Sequence, residues 1–191
     1  MNHNICFMLA KLIFAISSVS SADLNKLLIS PMGPYKLDVK QIYNCNPTKN
    51  NLIQHNMYVS NKNNHTLLFG NSTLEVPFDD SFFLEFKVAV KDSLGNWKEN
   101  VLSHKITNAC SSLKKLMGIS WNAFMNGAGS QNTECPILPG LYISPGFDPI
   151  LFEKSNFPKT FFYGTYKCRL FYTRKNEIFG CQAMVVEFKR P

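Results

Sequence analysis

Apolar and polar residues alternate with a period of two through most of the chain. Over residues 81–91, Phe82, Leu84, Phe86, Val88 and Val90 share one face, and Phe83, Glu85, Lys87, Ala89 and Lys91 share the other. Such alternation predicts a half-buried antiparallel strand. A turn follows at Asp92-Ser93-Leu94-Gly95-Asn96. An earlier strand places Tyr35, Leu37, Val39 and Tyr43 against Lys36, Asp38 and Lys40, and residues 71–78 predict another. The last third predicts a hairpin. Tyr166, Cys168, Leu170 and Tyr172 line one side of its first arm, Arg174-Lys175-Asn176-Glu177 makes the turn, and Met184, Val186 and Phe188 line the return.

One stretch has helical spacing. Asn108 is placed to cap it, Cys110, Leu113 and Met117 share a side, Lys114 and Lys115 lie near the negative end of its dipole, and Gly118 can end it. Two further segments fit neither period. Residues 118–129 are glycine-rich yet carry Trp121, Phe124 and Met125, and residues 148–164 carry Phe157, Phe161 and Phe162. Irregular segments are ordinarily polar and superficial. Apolar side chains on them either fold over the core or are exposed to meet a ligand or membrane. For Trp121 both placements stay open. The elements sum to an all-β, antiparallel sandwich or cup with one short helix.

The N-terminus changes the compartment. Ile5, Phe7, Met8, Leu9, Leu12, Ile13, Phe14 and Ile16 form an apolar run interrupted by Lys11, and Ser20-Ser21-Ala22 supplies small residues before Asp23. This reads as a signal peptide over residues 1–22, with residues 23–191 as one mature domain. The run falls short of the roughly 20 apolar residues that a membrane span needs. Losing Lys11 takes the net charge from +7 to +6. The basic residues are scattered, with no stripe or motif of a nucleic-acid binder, so the charge suits solubility or transient attraction to an anionic membrane surface.

Five cysteines follow the leader: Cys45, Cys110, Cys135, Cys168 and Cys181. In an oxidising compartment they suggest two bridges and one leftover thiol, with the pairing open. The sequons Asn64-His65-Thr66 and Asn71-Ser72-Thr73 make Asn64 and Asn71 candidate glycosylation sites on the same secretory route. Catalytic chemistry is thin. His55 falls in an Asn-rich segment that reads as a loop, His65 inside a sequon, and His104 in a strand without a partner at ligand spacing. No metal-binding or nucleophile motif appears. The expectation is a protein with no catalytic residues, no metal and no cofactor, a secreted hydrolase remaining the competing class.

Certain motifs have a familiar order. Cys135-Pro136-Ile137-Leu138-Pro139-Gly140-Leu141-Tyr142 is followed by Phe157-Pro158, Gly164-Thr165-Tyr166-Lys167 and Gly180-Cys181, and is preceded by Gly70-Asn71-Ser72-Thr73-Leu74. In order and spacing the chain resembles the ganglioside activator family, including secreted arthropod members, some of them chemosensory. The resemblance covers nearly the whole mature chain and is firmest over residues 135–189.

The resemblance implies an antiparallel β-cup around an apolar lipid cavity. It implies bridges Cys45–Cys181 and Cys110–Cys135; Cys168 has no counterpart and reads as a buried free thiol. Cavity walls would come from Phe82, Leu84, Phe86, Val88, Leu170, Tyr172, Met184, Val186 and Phe188, with a volume of about 300–1,000 Å³ or larger. Trp121, Phe124, Met125, Phe157, Phe161 and Phe162 would form a rim that touches membrane. The implied partners are a lipid or glycolipid and a lysosomal or secreted hydrolase to which it is presented. A chemosensory carrier of apolar semiochemicals and a receptor-side lipid adaptor are the alternatives. The implied location is extracellular, or else lysosomal.

Overall fold

The structure, a computed structural model, describes residues 31–46, 51–62 and 65–191. The signal-peptide reading and Asn64 lie outside the described residues. The strands are β1 (Met32–Pro34), β2 (Lys36–Asn44), β3 (Ile53–Lys62), β4 (His65–Leu74), β5 (Phe83–Lys91), β6 (Trp97–Ile106), β7 (Gly140–Phe147), β8 (Thr160–Phe162), β9 (Gly164–Arg174) and β10 (Glu177–Lys189). The α-helices are α1 (Ala109–Met117), α2 (Trp121–Gly127) and α3 (Ile150–Lys154). A five-stranded sheet runs β2-β10-β9-β5-β6, a three-stranded sheet β3-β4-β7, and a small sheet pairs β1 with β8. The fold is an all-β antiparallel sandwich.

Period-two alternation becomes register in the larger sheet. Leu84 faces Tyr172, Phe86 faces Leu170, and Val88 faces Cys168, which in turn faces Met184; Val186 faces Tyr166. These residues thus share the inner face. Strand β2 joins it with one irregularity. Val185 pairs with Gln41 but Val186 pairs with Val39, so Lys40 is skipped. This bulge inverts the alternation: Ile42 joins the core while Tyr43, read with Leu37 and Val39, is exposed. The β9–β10 turn has positive φ at Lys175 and Asn176, as a tight two-residue hairpin loop demands.

The core forms where the two sheets meet. Ile53 and Leu74 of the smaller sheet pack with Leu84 and Tyr172 of the larger, and Leu68 and Phe147 pack with Val39, Tyr166 and Val186. Gly180 allows the sheets to come this close, since a Cβ there would sit 2.3 Å from the Ile53 carbonyl oxygen. Two bridges brace the sandwich. Cys45–Cys181 ties the end of β2 to β10, and Cys110–Cys135 ties α1 to the segment before β7. Cys168 is free, and burial pushes its thiol pKa up to about 11.

Helix α1 starts differently from expectation. Asn108 adopts a left-handed conformation (φ 54°) and its side chain caps nothing. The Asp80 carboxylate takes over, accepting from the Ser111 amide at 2.8 Å and the Ser111 hydroxyl at 2.6 Å. Gly118 ends the helix, also at φ 54°. Asn156 then covers two free carbonyls, its amide N–H donating to Leu116 O and its side chain to Lys115 O. The two aperiodic segments contain helix α2 and helix α3, and Asn156, just past α3, clips the second of them to the end of helix α1.

Candidate functional site

The five-stranded sheet presents all the apolar residues assigned to the cup except Phe82, which precedes β5 and is buried among Phe78 and Phe179. Leu84, Tyr172 and Val186 are buried as well. The other five, Phe86, Val88, Leu170, Met184 and Phe188, are only partly buried. Opposite Val88, on the same face of edge strand β6, Leu102 is 54 % exposed. The smaller sheet therefore covers the β2-β10-β9 side of the inner face more fully than its β6 edge.

Between the sheets lies a cavity of about 130 Å³ with mainly apolar walls. Of the nine wall residues expected, it touches Tyr172 alone; of the six rim residues, Phe124 and Met125. The rest of its wall is mostly the smaller sheet and its surroundings, with Ile53, His55 and Met57 of β3, Ser72 and Leu74 of β4, Tyr142 and Phe147 of β7, and the larger sheet adds Gln182 of β10. Its volume lies below the usual range for ligand sites, about 300–1,000 Å³. A larger hollow of about 330 Å³ opens on the outer face beside Cys45 and Cys181. It is the more polar of the two, with Lys167 and Arg169 both paired to Glu99.

The wall from β3 had a signal that composition hid. Ile53, His55, Met57 and Val59 alternate with Gln54, Asn56, Tyr58 and Ser60. The asparagines nearby made this look like a loop, but it is a strand, paired residue by residue with β4. His55 consequently sits between the sheets and not in a loop. Its Nδ1 lies 2.7 Å from Ser72 Oγ, its directly opposite neighbour, and its ring tilts against Tyr172 at 5.4 Å. Its Nε2 is buried without a hydrogen-bond partner. Burial pulls its pKa down from 6.5 to about 4, so the ring is neutral at pH 7.

The six residues assigned to a rim separate. Trp121 and Met125 are 2 % and 3 % exposed and form a core cluster with Met117, which corrects their placement on an exposed rim. The physical reason is helix α2: regular backbone satisfies its own amides and can be buried. The indole N–H donates to Thr133 O at 2.6 Å, meeting its one polar demand. Phe124 and Phe157 pack around this cluster, and Phe161 stacks on Phe188. Phe162 alone is well exposed, at 54 %. Asn71 lies mid-β4, paired with Asn56 and Ile143, on the face opposite to buried Leu68 and Leu74. Tyr58, Leu141 and Ile143 are exposed apolar residues of the same sheet.

Among the described residues no cluster of three or more His, Cys, Asp or Glu could hold a metal, and no helix is long and apolar enough to cross a membrane. No known family model and no curated protein matches the chain.

Proposed function

We propose that this is a secreted, non-catalytic carrier that holds the apolar part of a lipid between its two sheets. The observation that supports this reading most is the incomplete cover of the larger sheet's inner face. Phe86, Val88, Leu170, Met184 and Phe188 share that face and all keep partial exposure, whereas a finished sandwich core buries such residues. Apolar surface left open beside a mainly apolar cavity is stabilised by an acyl chain at about 0.8 kcal/mol per buried CH₂. Two disulfides suit an oxidising, extracellular setting, with the lysosome as alternative. Phe162, exposed near the C-terminal segment, is the remaining candidate for membrane contact. In this role the protein lifts or presents lipid, and any hydrolysis belongs to a partner enzyme.

One observation favours a second reading. A cavity of about 130 Å³ suits a compact apolar molecule better than a long acyl chain, as a carrier of small apolar semiochemicals requires. Mass spectrometry of molecules that co-purify with protein secreted by eukaryotic cells separates the two. Long-chain lipids support lipid carriage, and small apolar molecules alone support the second reading. If nothing co-purifies and no fluorescent apolar reporter binds, both are overturned.

A further inference from the structure

The interior cavity has a mainly apolar wall that also carries Ser130, Tyr142 and Gln182, and among its described lining residues His55 Nε2 is the buried side-chain nitrogen or oxygen that has no hydrogen-bond partner. His55 and Ser72 face each other across β3 and β4 and both line the cavity. Among the described residues, Ser72 Oγ has His55 Nδ1 as its side-chain partner, at 2.7 Å. Two proton arrangements are available. If Nδ1–H donates to Ser72, the hydroxyl proton and the Nε2 lone pair both lack partners. If the Ser72 hydroxyl donates to Nδ1, only the Nε2–H is left. A buried polar group without a partner is costly, so the second arrangement prevails. Imidazole then offers one N–H donor, and the walls otherwise include Ile53, Met57, Leu74 and Phe147.

We propose that the molecule held between the sheets carries a hydrogen-bond-accepting oxygen, as a ketone, aldehyde or ester does, and that this oxygen accepts from His55 Nε2–H. The inference rests on the apolar-ligand reading above and gives that ligand a polarity and an orientation. The cavity volume sets the scale, so the oxygen lies close to the portion of the ligand that enters, with further chain directed along the partly exposed inner face. A purely hydrocarbon ligand would leave the N–H unpartnered. A carboxylate would bring a charge that no cation among the cavity's described lining residues could balance.

The test compares 2-octanone with octane, displacing a fluorescent apolar reporter from the full secreted chain. The proteins are wild type, His55→Phe, and the double variant His55→Phe/Ser72→Ala, which also removes the hydroxyl left behind. The expected result is ketone affinity about tenfold weaker in both variants, the equivalent of one hydrogen bond, with octane affinity unchanged. Nitrogen-15 NMR of the wild-type imidazole should show the Nε2–H form, its signal moving when ketone is added and not when octane is. If both probes weaken equally, or neither changes, His55 does not read the oxygen and the proposal falls while the apolar-ligand reading stands. An Nδ1–H tautomer would overturn the acceptor class directly. If the reporter and both probes fail to bind wild type, the apolar-ligand reading fails first. Should His55→Phe alone misfold, the Ser72→Ala single variant keeps the comparison open: it frees Nδ1 and should alter the tautomer signal.

Discussion

Acidification should expose His55 as a stability switch whose size follows from the burial of its ring. The ring is buried between the sheets, Nε2 has no partner, and no carboxylate appears among the described residues that line the cavity. Charging it there removes an ion from water with nothing to offset the loss. Its pKa is about 4 in the folded chain against an ordinary 6.5. The unfolded chain therefore takes up the proton first. The contribution is complete above pH 6.5, is lost as pH falls toward 4, and is flat below. At about 1.36 kcal/mol per pH unit, that gap corresponds to about 3 kcal/mol in full and about 2 kcal/mol by pH 5. Urea unfolding followed by tryptophan fluorescence at pH 7.5, 6 and 5 measures it. Wild type should lose about 2 kcal/mol more than His55→Phe/Ser72→Ala between pH 7.5 and 5. Carboxylates held below their usual range, such as Asp38 and Glu99 among their lysine and arginine partners, are common to both proteins and cancel in the difference. Parallel pH profiles would refute the reasoning, because they would mean that the ring protonates in the folded protein as readily as in the unfolded one.

The bridges, the helical cluster, the free thiol and the outer sheet face each give a further expectation. By the chain-entropy estimate, removing Cys45–Cys181, with a sequence separation of 136 residues, should cost about 5 kcal/mol, and removing Cys110–Cys135, with 25, about 3.5 kcal/mol; calorimetry of the paired alanine variants checks the order. Trp121→Ala should destabilise by about 3–5 kcal/mol, since it empties a core site and frees the Thr133 carbonyl; denaturant titration reads this, and a loss under 1 kcal/mol would return Trp121 to the rim. Cys168, with a pKa near 11, should resist iodoacetamide at pH 7.5 in the native protein and react after denaturation; peptide mapping measures the label. Asn71 should carry a glycan over the exposed face that holds Tyr58 and Ile143; a gel shift that endoglycosidase abolishes, and that Asn71→Gln lacks, would show it.

Much of the larger sheet was legible because its strands keep a strict period. The alternation over residues 81–91 and in the C-terminal hairpin put Leu84, Phe86, Leu170 and Met184 on one face, and the register does the same. Tyr43 was misread for a local reason. A single skipped residue, Lys40, inverts everything beyond it, and no side chain announces a bulge. Asn108 was misread for a non-local one, since the group that caps α1 is Asp80, which lies 31 positions upstream of the Ser111 amide it accepts from. The aperiodic segments looked like loops because each helix is short. Helix α2 spans only 7 residues, two turns, too few for a repeat to establish itself.

The smaller sheet was the harder half, and it supplies much of the site. Strand β3 interleaves Ile53, His55 and Met57 with polar residues, and its amide-rich composition outweighed its alternation in the reading. A two-faced strand needs polar residues on its solvent side, so asparagine there is evidence of a surface, not of a loop. The same logic bears on His55. In a loop it would have a solvated ring and an ordinary pKa. In a central stretch of strand, opposite Ser72, the register turns it inward with Ile53 and Met57. A polar side chain on the buried face of an otherwise apolar alternation is destabilising unless something meets its hydrogen bonds. Ser72 meets one of them. The other, at Nε2, is buried without a partner in a residue that lines a cavity with mainly apolar walls, and a ligand with one accepting atom would supply the hydrogen bond that the protein's own side chains leave unmet.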